Sequence, residues 1–173
     1  AFTENSIIEP DSIYGISKYS GELFINQILR NCSTKFTIFR VFNTYGPGEN
    51  LNYNKKGMLS IYAGYLWKNN PIDVKGSLDR YRDFLFIDDN IEILLKSLNN
   101  SSSFNEIYNL SSGQKIIIKD LIKIMIKVAG KEIDYPINQL PSTKGDSFGT
   151  HANIDKLKKD FKWEPRYSIQ DGL

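Results

Sequence analysis

A tyrosine and a lysine four residues apart, Tyr14 and Lys18 in the segment Asp11-Ser-Ile-Tyr14-Gly-Ile-Ser-Lys18, are the residues best suited to acid–base chemistry. Side chains at positions i and i+4 of a helix are neighbours on one face, so a helix here brings phenol and ammonium together. An ammonium stabilises a nearby phenolate, and a phenol in that setting can exchange a proton with a substrate hydroxyl near neutral pH. An ordinary surface helix would also accept such a pair, so the surrounding sequence has to decide between the two interpretations.

The segment that carries this pair has the features of a helix followed by a strand. Asp11 or Ser12 is a suitable N-cap, and the helix is expected to run to about Arg30. Residues 36–42 are rich in β-branched and aromatic side chains, which predicts a strand that stops at the turn-forming cluster 43–48. The apolar stripe of the helix consists of Ile13, Ile16, Leu23, Phe24 and Ile28.

Short strands and helices alternate through the rest of the chain, which predicts an α/β protein with some parallel sheet. Residues 136–149 have the composition of a loop. One helix is expected to follow Asp88-Asp89 and to carry Ile91, Leu94, Leu95 and Leu98. The other helices are expected at about 57–68, 119–129 and 154–161, and the strands at about 72–74, 83–87, 107–110 and 132–135.

Composition excludes several classes of function. The chain has 173 residues with 40% hydrophobic and 24% charged residues, and its formal net charge of +2 does not suggest nucleic acid or membrane partners. Cys32 is the single cysteine, so we expect no disulfide framework and a reducing, cytoplasmic environment. His151 is the single histidine, which argues against a metal site. The first residues lack the basic and apolar regions of a signal peptide, and no apolar run reaches the length of about 18 residues that a membrane-spanning helix needs.

Four blocks of the sequence carry a family resemblance. They run from Pro10 to Glu22, from Phe39 to Gly48, from Arg80 to Asp89, and through the C-terminal set Gly145-Asp146, Ala152–Lys156 and Trp163-Glu-Pro165. In this order and spacing they resemble the extended short-chain dehydrogenase/reductase family, in particular its nucleotide-sugar epimerase/dehydratase branch, which includes the UDP-glucose 4-epimerases.

The resemblance implies that the chain is the C-terminal portion of such an enzyme. It would comprise the last elements of a Rossmann-type, doubly wound parallel sheet and a smaller α/β substrate-binding subdomain. No G-x-G-x-x-G or G-x-x-G-x-x-G motif occurs in the sequence, so the N-terminal, glycine-rich half that holds the NAD pyrophosphate is absent from it. Residues 1–173 are expected to form a single unit. In it the Rossmann elements (about 1–45 and 72–115) are interleaved with the substrate-binding subdomain (about 46–71 and 116–173).

By the same resemblance, Tyr14 is the general acid/base, while Lys18 assists the phenol and binds the nicotinamide ribose. Val41 and Phe42 would lie beside the nicotinamide ring, although strand residues of this kind are at least as well suited to core packing. NAD is therefore the cofactor implied for the full-length family, and binding by this chain alone is doubtful because the glycine-rich turn is missing.

The residues implied in substrate binding lie in the second block and in the segments after it. Asn43 and Arg82 would contact the diphosphate of the sugar nucleotide, since a guanidinium offers paired donors to phosphate oxygens. Asp146 would accept hydrogen bonds from the nucleotide ribose. For all three the alternatives are structural: a turn asparagine, a solvated arginine and a loop aspartate. The positions expected to flank the nucleotide base are Lys56, Met58, Asp73 and Lys75.

This sequence departs from the family pattern near Asp146. Thr143 stands where an arginine is often found, with Lys144 beside it, and Asn153 stands where an aspartate is common. These changes make phosphate anchoring by this segment uncertain or transfer it to Lys144.

The leading hypothesis is an NAD-dependent epimerase that inverts C4 of a UDP- or dTDP-hexose through a transient 4-keto sugar. A piece of a nucleotide-sugar dehydratase or reductase of the same family is an alternative, and so is a truncated, inactive chain that at most binds a nucleotide sugar. A half-sheet should expose an apolar edge or face, which favours a homodimer.

Overall fold

The computed structural model describes residues 1–52, 57–142 and 147–173, and these form the predicted α/β fold. No helix in the described ranges is both long and apolar enough to span a bilayer. The helices are α1 (Ile13–Leu29), α2 (Met58–Trp67), α3 (Ile87–Ser97), α4 (Ile118–Val128) and α5 (Asp155–Phe161), with a short 3-10 helix at Ser101–Ser103. The strands are β1 (Thr37–Val41), β2 (Asn43–Tyr45), β3 (Ile72–Lys75), β4 (Tyr81–Arg82), β5 (Phe84–Phe86), β6 (Glu106–Leu110), β7 (Ile116–Ile117) and β8 (Ile137–Leu140).

Strand pairing joins segments that are distant in the sequence. β1 pairs in parallel with β6, β2 with β5, and β3 with β8, whereas β4 and β7 are antiparallel. Parallel neighbours need a crossover connection, and helices α3 and α4 lie in such connections. The prediction of an α/β fold with parallel sheet is therefore confirmed.

Three predicted boundaries are wrong. Helix α3 begins at Ile87 and contains Asp88 and Asp89 in its first turn instead of following them. Residues 43–45 are not a turn but strand β2, because β5 supplies a parallel partner in which Asn43 pairs with Phe84. The strand expected at 132–135 lies instead at Ile137–Leu140, inside the predicted loop. Gly130, with φ +64, follows the end of α4. A turn then closes where the Tyr135 N–H donates to the carbonyl of Glu132, and the chain after this turn pairs with β3.

The buried side chains form two clusters. The first contains residues of β2, β3, α2 and α4, with Tyr62 and Ile72 among its members. The second combines β5, β6, α3 and α5, with Leu85 and Leu157 among its members. Thus β3 packs with the elements assigned to the substrate-binding subdomain, and α5 packs with the Rossmann elements. Tyr45 and Phe84, which lie in the ranges assigned to the Rossmann elements, also pack in the first cluster, and the proposed division of the chain stays a prediction.

Helices α1 and α3 present apolar side chains to solvent. No residue of α1 is buried, and its predicted apolar stripe is exposed. On α3 the inward residues are Asp89, Asn90 and Ile93. Tertiary hydrogen bonds explain this orientation, since Asn90 donates to the Thr44 hydroxyl at 2.8 Å. The expected apolar residues of α3, which are Ile91, Leu94, Leu95 and Leu98, are 43–70% exposed.

Candidate active site

Tyr14 and Lys18 lie one turn apart on α1. The hydroxyl of Ser12 accepts a hydrogen bond from the N–H of Gly15 at 3.1 Å, so a side-chain cap fixes the turn that carries Tyr14. The ammonium nitrogen of Lys18 lies 5.4 Å from the centre of the Tyr14 ring. Tyr14 is 71% exposed, which leaves the phenol accessible to a ligand. The two side chains therefore meet as the spacing predicts, and their role in a reaction stays a prediction.

A cavity of about 540 Å³ lies between α1 and β1. Tyr14 and Lys18 line it from the helix, and Val41 lines it from the end of the strand. This volume is in the range of small-molecule sites, which combine mostly apolar walls with a few polar groups. The apolar part of the wall consists of Ile8, Ile25, Ile38 and Phe39.

Arg40 and Glu22 connect the two walls of this cavity. The Arg40 Nε donates to Glu22 Oε2 at 3.0 Å, and a second guanidinium nitrogen donates to Oε1. The hydrogen bond to Glu22 raises the pKa of Arg40 above its ordinary value, although burial opposes it. The sequence analysis missed this pair. An arginine inside the otherwise apolar segment Phe36–Phe42 was the available signal, because a half-buried charge needs a partner.

Val41 and Phe42 have different surroundings. Val41, the last residue of β1, lines the cavity, whereas Phe42 lies between β1 and β2 and packs against the second core cluster. Contact of Val41 with a nicotinamide ring stays a prediction. Phe42 has the core-packing placement that the sequence also allowed.

NAD fits this cavity in part. Tyr14, Lys18 and Val41 offer a phenol, an ammonium and an apolar wall suited to a nicotinamide riboside. The pyrophosphate normally sits against a glycine-rich turn at a helix N-terminus, and the sequence contains no such motif. The chain thus holds residues for one end of the dinucleotide.

Asn43 lies two residues beyond Val41 and is fixed by the neighbouring strand. Its backbone N–H and its Nδ2 both donate to the carbonyl of Asp83, at 3.3 and 3.0 Å. The side-chain amide is half-buried and sits in strand β2 instead of in a turn. Among the described residues, the lining of the 540 Å³ cavity includes neither Asn43 nor Arg82.

Arg82 is a buried cation at the end of β4. Its guanidinium donates to the carbonyl of Tyr81 at 2.8 Å and to the carbonyl of Ser147 at 2.9 Å. Burial, together with repulsion from the buried Arg80, lowers the pKa of Arg82 from its ordinary value. Removing a cation from water is costly, and the hydrogen bonds from the guanidinium to these carbonyls offset part of that cost. Arg82 is therefore not the solvated surface arginine that the sequence left as an alternative.

The residues expected at the nucleotide base lie on α2 and β3. Met58 is the first residue of α2 and packs against the first core cluster. Asp73 accepts a hydrogen bond from Asn138 Nδ2 at 2.9 Å, and Lys75, on the same face of β3, is exposed. The structure thus places Asp73 and Lys75 side by side. Lys56 and Asp146 lie outside the described residues.

Comparisons with known proteins cover the whole chain. The family model described as GDP-mannose 4,6 dehydratase matches residues 1–173. The chain is 27% identical over 179 residues to a dTDP-4-dehydro-6-deoxyglucose reductase of Escherichia coli, an alignment that covers 99% of this chain and 53% of the reductase. It spans about half the length of the curated relatives that it matches.

Solved structures show the same partial coverage. A UDP-glucose 4-epimerase of Thermotoga maritima, solved with UDP-glucose, matches with a TM-score of 0.91 at 27% identity over 99% of this chain and 54% of the epimerase. A UDP-glucuronic acid 4-epimerase of Bacillus cereus, solved with UDP-glucuronic acid and NAD, matches with a TM-score of 0.88 at 27% identity. This second match covers 99% of this chain and 53% of that epimerase.

Proposed function

Because the chain belongs to the GDP-mannose 4,6 dehydratase family, we propose that it forms the acid–base and nucleotide-sugar-binding half of an NAD-dependent nucleotide-sugar 4-epimerase. The substrate class is a UDP- or dTDP-hexose, and the reaction inverts C4 through a transient 4-keto sugar. Several of the relatives bear the names of epimerases, and among the similar solved structures are epimerases with UDP-sugars bound.

The observation that carries this proposal is the placement of Tyr14 and Lys18 on one wall of the cavity, 5.4 Å apart as measured from the ammonium to the ring centre. A phenolate beside an ammonium can accept a proton, and the resulting phenol can return it from the same atom, which an epimerase needs once each per cycle.

In the proposed cycle the Tyr14 oxygen removes the proton from the sugar's O4 hydroxyl as the C4–H bond breaks. Bound NAD, held at its nicotinamide ribose by Lys18, would supply hydride transfer to and from C4. The 4-keto sugar rotates in the site, so that C4 is reduced on its other face, and Tyr14 returns the proton to O4. Atoms and electrons balance, because the hexose ends as its C4 epimer and the cofactor ends in its starting oxidation state.

The rest of the substrate would be held by the segments that follow Val41. Arg82 and Asn43 are the proposed ligands of the diphosphate, and Asp73 and Lys75 flank the base. The residue type of Arg82 supports this assignment, because a guanidinium offers paired, charge-assisted donors to phosphate oxygens.

The test uses the complete protein, with the chain extended at its N-terminus to the natural start. Incubation with UDP-glucose and catalytic NAD, followed by proton NMR, is expected to show UDP-galactose. A 4-keto-6-deoxy product formed with loss of water would identify a dehydratase, and consumption of reduced cofactor by a 4-keto substrate would identify a reductase. Both results would overturn the epimerase assignment.

A second candidate is a chain that binds a nucleotide sugar and does no chemistry. The missing glycine-rich turn favours it for the 173 residues by themselves. Assays of the complete protein separate the two candidates, since a binding module would bind UDP but would neither bind NAD nor convert UDP-glucose.

A further inference from the structure

Asp83 is a fully buried carboxylate between β4 and β5 that accepts three hydrogen bonds. Its Oδ1 accepts from the N–H of Ser112 at 3.1 Å and from the Ser112 hydroxyl at 2.7 Å. Its Oδ2 accepts from the N–H of Ala152 at 3.1 Å. A carboxylate is costly to bury unless it is well hydrogen-bonded, and this set of donors meets that need.

The backbone of the same residue orients Asn43. The carbonyl of Asp83 accepts from both the N–H and the Nδ2 of Asn43. The side-chain amide therefore cannot rotate without losing a bond to Asp83. Any ligand contact made by this amide takes its direction from the position of Asp83.

The neighbouring residue in the chain, Arg82, depends on the segment that the carboxylate holds. Its guanidinium donates to the carbonyl of Ser147, and Ala152 lies five residues further along. The intervening segment runs beside β4, since Tyr81 bridges Gly149 and accepts from the N–H of Thr150 at 3.3 Å. The Asp83 carboxylate thus holds the segment 147–152 at Ala152, and the other end of this segment orients the Arg82 guanidinium.

We propose that Asp83 is a positioning residue that sets the spacing between the Asn43 amide and the Arg82 guanidinium, so that both groups contact one diphosphate. This inference rests on the proposed function and adds a residue that does not itself touch the ligand. A diphosphate bridging two donors tolerates little change in their separation, because small displacements weaken both contacts.

The experiment measures UDP and UMP binding to the 173-residue chain by calorimetry, for the wild type and two matched variants. In Asp83→Asn an amide nitrogen replaces one carboxylate oxygen and cannot accept from Ser112 or Ala152. Asp89→Asn is the control. Asp89 is equally buried and accepts from the N–H groups of Arg166 and Tyr167 and from the Arg166 guanidinium, instead of from Ser112 and Ala152.

Asp83→Asn is expected to raise the Kd for UDP about tenfold or more and to raise the Kd for UMP by a smaller factor. The ratio of the UMP Kd to the UDP Kd therefore falls, which means a weaker preference for the diphosphate. Asp89→Asn is expected to keep both constants within about twofold of the wild type at a temperature where circular dichroism shows each variant folded. A merely structural role would weaken UDP and UMP binding equally in both variants. That result, or unchanged UDP binding by folded Asp83→Asn, would overturn the inference.

Two further comparisons cover the cases in which Asp83→Asn does not fold or the wild-type chain does not bind UDP. If Asp83→Asn does not fold, Ser112→Ala removes one hydrogen bond to the carboxylate, and a Kd for UDP raised about threefold at nearly wild-type thermal stability is expected. An unchanged Kd there would overturn the proposal. Failure of the proposed nucleotide-sugar binding looks different, because then the wild type does not bind UDP and Arg82→Lys changes nothing.

Discussion

Arg40 on β1 and Glu22 on α1 form a two-point ion pair across the cavity that holds Tyr14. A third bond, from Arg40 Nη1 to the carbonyl of Glu4 at 2.7 Å, attaches the N-terminal segment to the same guanidinium. Since no residue of α1 is buried, its position on the strand depends strongly on these polar contacts. The placement of the proposed acid/base therefore depends on a pair of residues that take no part in the chemistry.

Replacing Arg40 by lysine should loosen α1. An ammonium cannot reproduce the paired donors of a guanidinium, so we expect a loss of about 1–3 kcal/mol in the free energy of unfolding. Urea unfolding gives the free energy, and hydrogen exchange should speed up at the amides of residues 16–22. Lys96→Met is the control, because the partly exposed Glu92–Lys96 pair, one turn apart on α3, is worth only about 0.5 kcal/mol. Equal losses in the two variants would contradict the role given to Arg40.

Tyr14→Phe should remove most of the activity of the complete protein. Loss of a general acid/base costs about 10²–10⁴-fold in rate, and binding of the sugar nucleotide should change little. Epimerisation rate and UDP affinity are measured side by side. Tyr135→Phe is the matched control, because the Tyr135 hydroxyl donates to the carbonyl of Asn70 and lies outside the cavity lining. Full activity in Tyr14→Phe would exclude the proposed mechanism.

Alkaline pH should destabilise the chain through Tyr45. Burial, with added repulsion from Asp89 and Asp171, raises the pKa of Tyr45 to about 12. The unfolded phenol ionises near pH 10, so the stability from the neutral buried phenol is complete below about pH 10 and is lost as pH rises through about 12. Urea unfolding at pH 8 to 11 should show this decline and a shallower one for Tyr45→Phe. Identical slopes would mean that other groups govern the alkaline limit.

The exposed stripe on α1 should drive self-association. Ile28 is 64% exposed on a helix whose other apolar side chains are also open to solvent, and contiguous apolar patches favour association. We expect Ile28→Glu to shift the chain from dimer towards monomer in light scattering. Ile133→Glu is the control, since Ile133 is 90% exposed but lies away from α1. A monodisperse wild-type monomer would refute the predicted homodimer.

NAD should not bind measurably to the 173 residues alone. The pyrophosphate has no glycine-rich helix N-terminus to sit on, and this loss outweighs the contacts available at Tyr14 and Lys18. Calorimetry at millimolar NAD is expected to show no binding heat, while the N-terminally extended protein binds. A Kd below about 1 mM for the chain alone would contradict the prediction.

Local features were determined by the sequence. The Ser12 cap, the i, i+4 spacing of Tyr14 and Lys18, and the end of α4 near Gly130 all depend on residues within a few positions of one another. Such interactions form wherever the chain is helical, and they can be recognised without knowledge of the fold. The family blocks added the order of the elements and the identity of the proposed site residues.

The tertiary structure decided which residues distant in the sequence contact one another. Asp83 meets Ser112 and Ala152 across 29 and 69 positions, and no local pattern distinguishes it from any other aspartate that begins a strand. The same holds for β8, which forms at Ile137–Leu140 because β3 offers it an edge. Helix α3 likewise has polar residues on its buried side, because the side-chain amide of Asn90 donates a hydrogen bond to the Thr44 hydroxyl there. Hydrogen bonds and burial depend on which segments come into contact in the fold, and local sequence patterns do not show which distant segments do so.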